Sequence, residues 1–171
     1  MEKRDLYNID KENTKFTILK EQNVPKNYYT LVVTVLIQNS KDEILIQKRS
    51  KQKGGKYGLT SGHPKSGEDS LTGIITEIKE ELGIEALPQE LQLLYSTRDD
   101  NNRCFYDLYY LKKDYKTEKM LLQREEVEQV YWFSKEKVKE LCDNGEFKES
   151  HIEAYEILMK KAMENIDKFK I

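Results

Sequence analysis

A chain of 171 residues supports one core better than two, and residues 1–171 are read as a single domain. Its 29 Lys and Arg against 31 Asp and Glu leave a formal charge of -2, which excludes the positive excess of a protein held on duplex nucleic acid by phosphate contacts. Apolar runs such as 31–37 fall far short of the ~20 residues of a membrane-spanning helix, and MEKRDLYNID carries no apolar export core. A cytoplasmic protein with no membrane association is expected.

In chain order, residues 15–19 offer a candidate edge strand within a weakly patterned first 28 residues. Residues 29–38 are rich in β-branched and aromatic types and Asn39-Ser40-Lys41-Asp42 then supplies turn formers, so 29–38 and 43–49 are expected as a β-hairpin. A second strand pair is expected over 91–96 and 103–111, separated by Arg98–Asn102, with a further strand at 127–133. Helical spacing marks 71–82, 135–142 and 152–163, with Asp69 or Ser70, Ser134 and Ser150 as N-caps and Gly83 and Gly145 as stops. Interspersed strands and helices predict an α/β fold, a sandwich with a mixed sheet and helices on both faces. Cys104 and Cys142 fit no metal-ligand spacing and are expected as free thiols.

The chemistry concentrates in 62–84, GHPKSGEDSLTGIITEIKEELGI. Its glycine-containing loop, Ser61 to Gly67, permits close approach of a ligand to backbone, and a helix follows. At about 100° per residue Leu71, Ile74, Ile75, Ile78 and Leu82 share one arc, whereas Glu77, Glu80 and Glu81 share the adjacent one with Gly73. Carboxylates at i, i+3 and i+4 repel one another, and clustered hard oxygen ligands suit Mg²⁺ or Mn²⁺, which bridge protein carboxylates to phosphates. An ordinary solvated acidic face would show the same run, so the loop decides between the readings.

This segment resembles the Nudix hydrolase box: Gly, five residues, Glu, seven residues, Arg-Glu, an aliphatic residue, any residue, Glu-Glu, any residue, Gly and an aliphatic residue. Gly62, Glu68, Glu77, Ile78, Glu80, Glu81, Gly83 and Ile84 fall on that pattern, and Thr76 stands at the Arg position. The resemblance implies an α/β/α sandwich and a pyrophosphohydrolase that splits a diphosphate linkage in a small substrate. It implies Glu80 and Glu81 as principal metal ligands, Glu77 and the Gly62 carbonyl completing the site, and Glu68 bracing the loop. Thr76 is too short for the arginine's bracing fork; at about 40° from Glu80 its absence predicts either a looser Glu80 or a surrogate brace such as Lys79.

Gln47-Lys48-Arg49-Ser50, Gly62-His63-Pro64 and Glu125-Glu126-Val127-Glu128 further resemble the branch related to isopentenyl-diphosphate isomerase. That enzyme has an essential cysteine where this chain has Ser61 and holds its metal with several histidines, whereas this chain has only His63 and His151. The chain is therefore read as a hydrolase of that branch, with Glu126 or Glu128 as candidate general base. An isomerase-like enzyme and a catalytically weak, diphosphate-binding regulatory domain are the alternatives. Lys48, Arg49, Lys65 and His63 are the candidate substrate-binding residues, and Tyr57, Phe105, Tyr106, Tyr109 and Tyr110 offer a stacking surface that core packing would equally explain. The expected partner is a small diphosphate; a homodimer is left open.

Overall fold

Thr30–Gln38 alternates apolar residues on both of its faces, which makes it a strand that must be covered twice, and this strand, β3, is the axis of the molecule. The computed structural model describes residues 1–168. β1 (Lys3–Tyr7) and β2 (Asn13–Leu19) precede β3; β4 (Ile44–Arg49), β5 (Tyr57–Gly58), β6 (Thr60–Gly62), α1 (Ser70–Leu82), β7 (Gln92–Asp99), β8 (Cys104–Lys112), β9 (Val127–Phe133), α2 (Lys135–Asp143) and α3 (Glu149–Lys168) follow.

The main sheet runs β5-β4-β3-β8-β7, with β6 also on β3 and β9 also on β4. It is mixed as expected: β3 and β8 are parallel from Thr30↔Cys104 to Gln38↔Lys112, and the other pairings are antiparallel. Side chains alternate across it. Leu31, Val33, Val35 and Ile37 meet Ile74, Ile78 and Leu82 of α1, whereas Leu36, Ile44, Ile46 and Leu108 meet Val138 and Leu141 of α2 and Leu158 of α3. Each fully buried aliphatic side chain contributes roughly 1.5–3 kcal/mol of transfer free energy, so the two layers hold helices to both faces.

The expected hairpin of 29–38 with 43–49 is corrected in its pairing. β3 and β4 meet only at Gln38↔Ile44; β4 then pairs with β9 from Ile44↔Phe133 to Arg49↔Val127. β6 takes the vacated edge of β3 at Val33↔Gly62, Thr34↔Ser61 and Val35↔Thr60. Sequence periodicity identifies strands but not partners, and here each edge finds a longer partner than the hairpin would give. The divergence leaves a cleft between β3 and the far end of β4.

Residues 15–19 do form a strand, but β2 pairs with β1 in a separate two-stranded sheet, at Lys3↔Leu19 and Arg4↔Ile18, and not at the edge of the main one. Asp69 caps α1, accepting from the Thr72 amide at 2.8 Å, and Gly83 ends it at φ 67. Ser134 caps α2, whereas Ser150 lies inside the first turn of α3, which begins at Glu149. Cys104 and Cys142 are free thiols, and no helix among the described residues is long and apolar enough to cross a membrane.

Candidate active site

Gly62 closes β6 directly under α1. A Cβ there would lie 2.2 Å from Glu77 Cδ, so the Glu77 carboxyl can pack on the backbone only because residue 62 has no side chain. Gly73 does the same for the loop, since a Cβ would lie 2.5 Å from Pro64 Cγ. The box glycines therefore set the distance between loop and helix.

Burial, then the neighbouring Glu81 and Glu80, push the Glu77 carboxyl up to about 8. Glu81 is 9% exposed, and burial pushes it up to about 7 against the opposing hydrogen bond from Gln47. Gln47 Nε2 donates to Glu81 Oε2 at 2.7 Å and lies 2.7 Å from Thr60 Oγ1, which fixes the Glu81 carboxylate. Glu80 is ion-paired with Lys65, whose ammonium it holds above the usual lysine range. Among the described residues no three Asp, Glu, His or Cys side chains converge into a ready-made cation cage. The three glutamates share a wall: Gln47 holds Glu81, Lys65 holds Glu80, and Glu77 packs on the Gly62 backbone. Carboxyls raised by burial and by one another, with hard oxygen atoms on one wall, are a donor set that fits a divalent cation.

Thr76 does not face Glu80. Its hydroxyl donates to Glu68 Oε2 at 2.5 Å, while Glu68 Oε1 accepts from the Lys65 amide at 2.7 Å. Glu68 thus braces the loop as expected, with Thr76 assisting it. Lys79 pairs with Glu85 at 3.2 Å, so the cation on Glu80 is Lys65 and not the anticipated Lys79. The N-terminal hairpin clamps the same loop: the Ser66 amide donates to Lys3 O at 2.8 Å, and Ser66 Oγ and the Gly67 amide donate to the Asp5 carboxylate.

His63 lines the cleft and also braces the loop. Its Nδ1 lies 3.0 Å from Leu31 O and its Nε2 3.3 Å from Arg4 Nη1, so the protein already uses both ring nitrogens. Burial, then Arg4, push its pKa down to about 4, which keeps it neutral.

A cleft of about 380 Å³ opens between this acidic wall and a basic one formed by Arg49, Lys53 and Lys148. Arg49 enters the cleft, but strand alternation turns Lys48 to the other face, where its ammonium lies 4.6 Å from the Tyr57 ring centroid. Glu126 lines the cleft, paired with Lys53 at 3.0 Å, whereas Glu128 is exposed outside it. Of the five aromatic candidates Tyr106 lines the cleft; Phe105, Tyr109 and Tyr110 are core, and Tyr57 packs beside Tyr131 and Phe133. Gln47, Lys148 and His151 were not anticipated. Nothing local in the sequence signals them, because they reach the site through tertiary packing of β4 and α3.

Residues 28–155 match the family model described as the NUDIX domain. The chain belongs to the Nudix family. It is 34% identical over 151 residues, 86% of this chain and 88% of the relative, to an uncharacterized Nudix hydrolase of Listeria innocua. Among solved structures it is similar to DR0079 of Deinococcus radiodurans, with TM-score 0.68, 22% identity and coverage of 85% of this chain and 91% of that one. It is also similar to a bifunctional NMN adenylyltransferase/ADP ribose pyrophosphatase of Francisella tularensis complexed with AMP and a Mn ion, with TM-score 0.58, 20% identity and coverage of 78% and 42%. The Nudix fold and the Nudix hydrolase relatives make this chain a pyrophosphohydrolase, with the box helix at the mouth of the cleft.

Proposed function

We propose that this Nudix hydrolase splits the diphosphate linkage of a small nucleotide-like or other organic diphosphate, using Mg²⁺, or Mn²⁺, held by Glu77, Glu80, Glu81 and the Gly62 carbonyl. The observation that carries the proposal is the pair of buried acids Glu77 and Glu81, pushed up to about 8 and about 7 at the wall of a cleft whose opposite wall is basic. The Mn ion in the Francisella protein of the same fold supports the choice of cation.

A cation bound there would neutralise the diphosphate and acidify a water molecule. Glu77 and Glu81 would hold such a cation as carboxylates, so their protons would be given up to solvent on binding. Gln47 keeps Glu81 in one orientation, and Glu68 with Thr76 holds the loop that presents the Gly62 carbonyl. Glu126 faces the cleft, where Lys53 at 3.0 Å orients it, and accepts the proton of the attacking water. Arg49 offers its fork to phosphate oxygens as charge develops. Lys65 reaches phosphate only by giving up Glu80.

The box residues and the Gly62-His63-Pro64 run remain compatible with the isomerase-related branch, but isomerisation itself is disfavoured. Ser61 Oγ lies 2.8 Å from Thr34 Oγ1, and an alcohol so held supplies no acid comparable to a thiol. We also infer a cytoplasmic protein acting on a soluble small molecule. Incubation with nucleoside, sugar, prenyl and coenzyme diphosphates, in Mg²⁺ and in EDTA, tests the proposal: at least one should release a monophosphate with Mg²⁺ alone. Silence across that panel, with Mg²⁺ binding retained, would favour a regulatory binder.

A further inference from the structure

The start of α3 is locked to the strand that leads into the box loop. The Tyr57 amide donates to Glu146 O at 3.0 Å, the Lys148 amide to Tyr57 O at 2.7 Å, and the His151 amide to Lys148 O at 2.9 Å. Gly58 lets the His151 ring come against β5, since a Cβ there would lie 2.7 Å from Nδ1. His151 is therefore placed by the backbone of both elements.

The ring is 7% exposed, and its Nδ1 accepts from the Leu59 amide at 3.1 Å. A neutral imidazole whose Nδ1 accepts carries its proton on Nε2. Among the described residues that Nε2–H has no acceptor, while the ring lines the cleft. Burial, then Lys148 and Arg49, hold the ring neutral. Arg49 and Lys148 line the same end of the cleft, and among the described residues neither forms an ion pair, in contrast to Lys53 with Glu126. Burial and the neighbouring Arg49 hold the Lys148 ammonium below the usual lysine range, with Glu81 across the cleft opposing them. Two cations without an ion-pair partner and an Nε2–H that lines the same cleft without an acceptor are groups that an anion would join. The first turn of a 20-residue helix, with Ser150 also lining the cleft, adds further donors and a favourable dipole.

We propose that Lys148, His151 and Arg49 form a second anion subsite at the start of α3, which takes the phosphoryl group of the substrate diphosphate that α1 does not hold. The inference rests on the hydrolase reading and deepens it: the cleft selects substrates by two adjacent phosphoryl groups, one on each wall. Among the described residues Tyr106 is the one Phe, Tyr or Trp in its lining, which offers no sandwich for a nucleobase. Lys148 and His151 are specificity residues for the diphosphate itself.

The test uses methylenediphosphonate, a diphosphate analogue whose P–C–P bridge resists hydrolysis, titrated calorimetrically into the full chain in EDTA so that no cation on α1 contributes. Wild type should bind it, Lys148→Met should weaken binding about tenfold or more, and Lys139→Met, on exposed α2 surface, should leave it unchanged. In wild type the His151 Nε2–H resonance should shift on binding, a readout that needs no variant to fold. Absent binding in EDTA, or binding untouched by Lys148→Met with the His151 resonance unmoved, overturns the proposal. Inorganic phosphate binding as tightly as the diphosphonate would also overturn it, by making the site one for free phosphate. Loss of Mg²⁺-dependent hydrolysis throughout the substrate panel, with metal-free binding intact, would instead sink the hydrolase reading and leave the anion site standing.

Discussion

Glu77→Gln exchanges the most perturbed carboxyl of the site for a neutral group of the same shape. In metal-free protein Glu77 titrates at about 8 against an ordinary 4.5. A carboxyl raised on folding binds more protons in the folded than in the unfolded state between those values. The contribution of Glu77 to stability is therefore fully present below about 4.5 and is lost as pH rises through 8. At about 1.36 kcal/mol per unit the full gap is about 5 kcal/mol, and because Glu77 and Glu81 share the repulsion as a coupled pair, Glu77 itself accounts for about 2–4 kcal/mol. For a domain of this size about 1 kcal/mol moves Tm by about 2–4 °C, so wild type in EDTA should lose roughly 5–15 °C more than Glu77→Gln between pH 5 and 8.5. The difference between the two proteins is the quantity to read from circular-dichroism melts. His63 and His151, held neutral by burial, destabilise both proteins equally as pH falls below about 6.5. Saturating Mg²⁺ should flatten the wild-type curve, because a ligand of the folded state stabilises it. Parallel curves for wild type and variant would refute the claim that Glu77 is a buried, repelled acid.

Gly62→Ala places a Cβ 2.2 Å from Glu77 Cδ, so Glu77 must move; kcat should fall by ~10²-fold while the melt is largely kept, and unaltered turnover would mean that the contact is not needed. Glu126→Gln should lower kcat by at least ~10-fold, whereas Glu128→Gln, outside the cleft, should stay within about twofold in the same steady-state assay. Isopentenyl diphosphate with Mg²⁺ should give no dimethylallyl diphosphate by chromatography, since Ser61 is a poor acid held by Thr34; its formation at enzyme-like rates would reverse the choice between hydrolase and isomerase.

The box was legible because its geometry is local: carboxylates at i, i+3 and i+4 share a helix wall wherever that helix sits. Thr76 shows the limit of that reasoning. Angular distance alone put it beside Glu80, but side chains on a helix lean toward its N-terminus, and there its hydroxyl meets Glu68. Lys48 was separable from Arg49 in principle, since neighbours on a strand face opposite sides. Glu128 fell outside the cleft because Glu126 precedes β9 whereas Glu128 lies on its exposed face. β1 was missed because its first residues, Lys3 and Arg4, carry no apolar pattern, and its role as clamp of the box loop comes from Asp5. Lys148 and His151 lie far along the chain from the box, and only the packing of α3 on β5 brings them to the cleft.

The most direct measurement of the central claim is steady-state release of monophosphate from the diphosphate panel by wild type and Glu81→Gln, each with Mg²⁺ and with EDTA. The account predicts Mg²⁺-dependent turnover in wild type. In Glu81→Gln kcat should be at least ~10²-fold lower, about 2.7 kcal/mol of transition-state stabilisation, with the fold retained by circular dichroism. Turnover by Glu81→Gln equal to wild type, or wild-type turnover indifferent to EDTA, would contradict it.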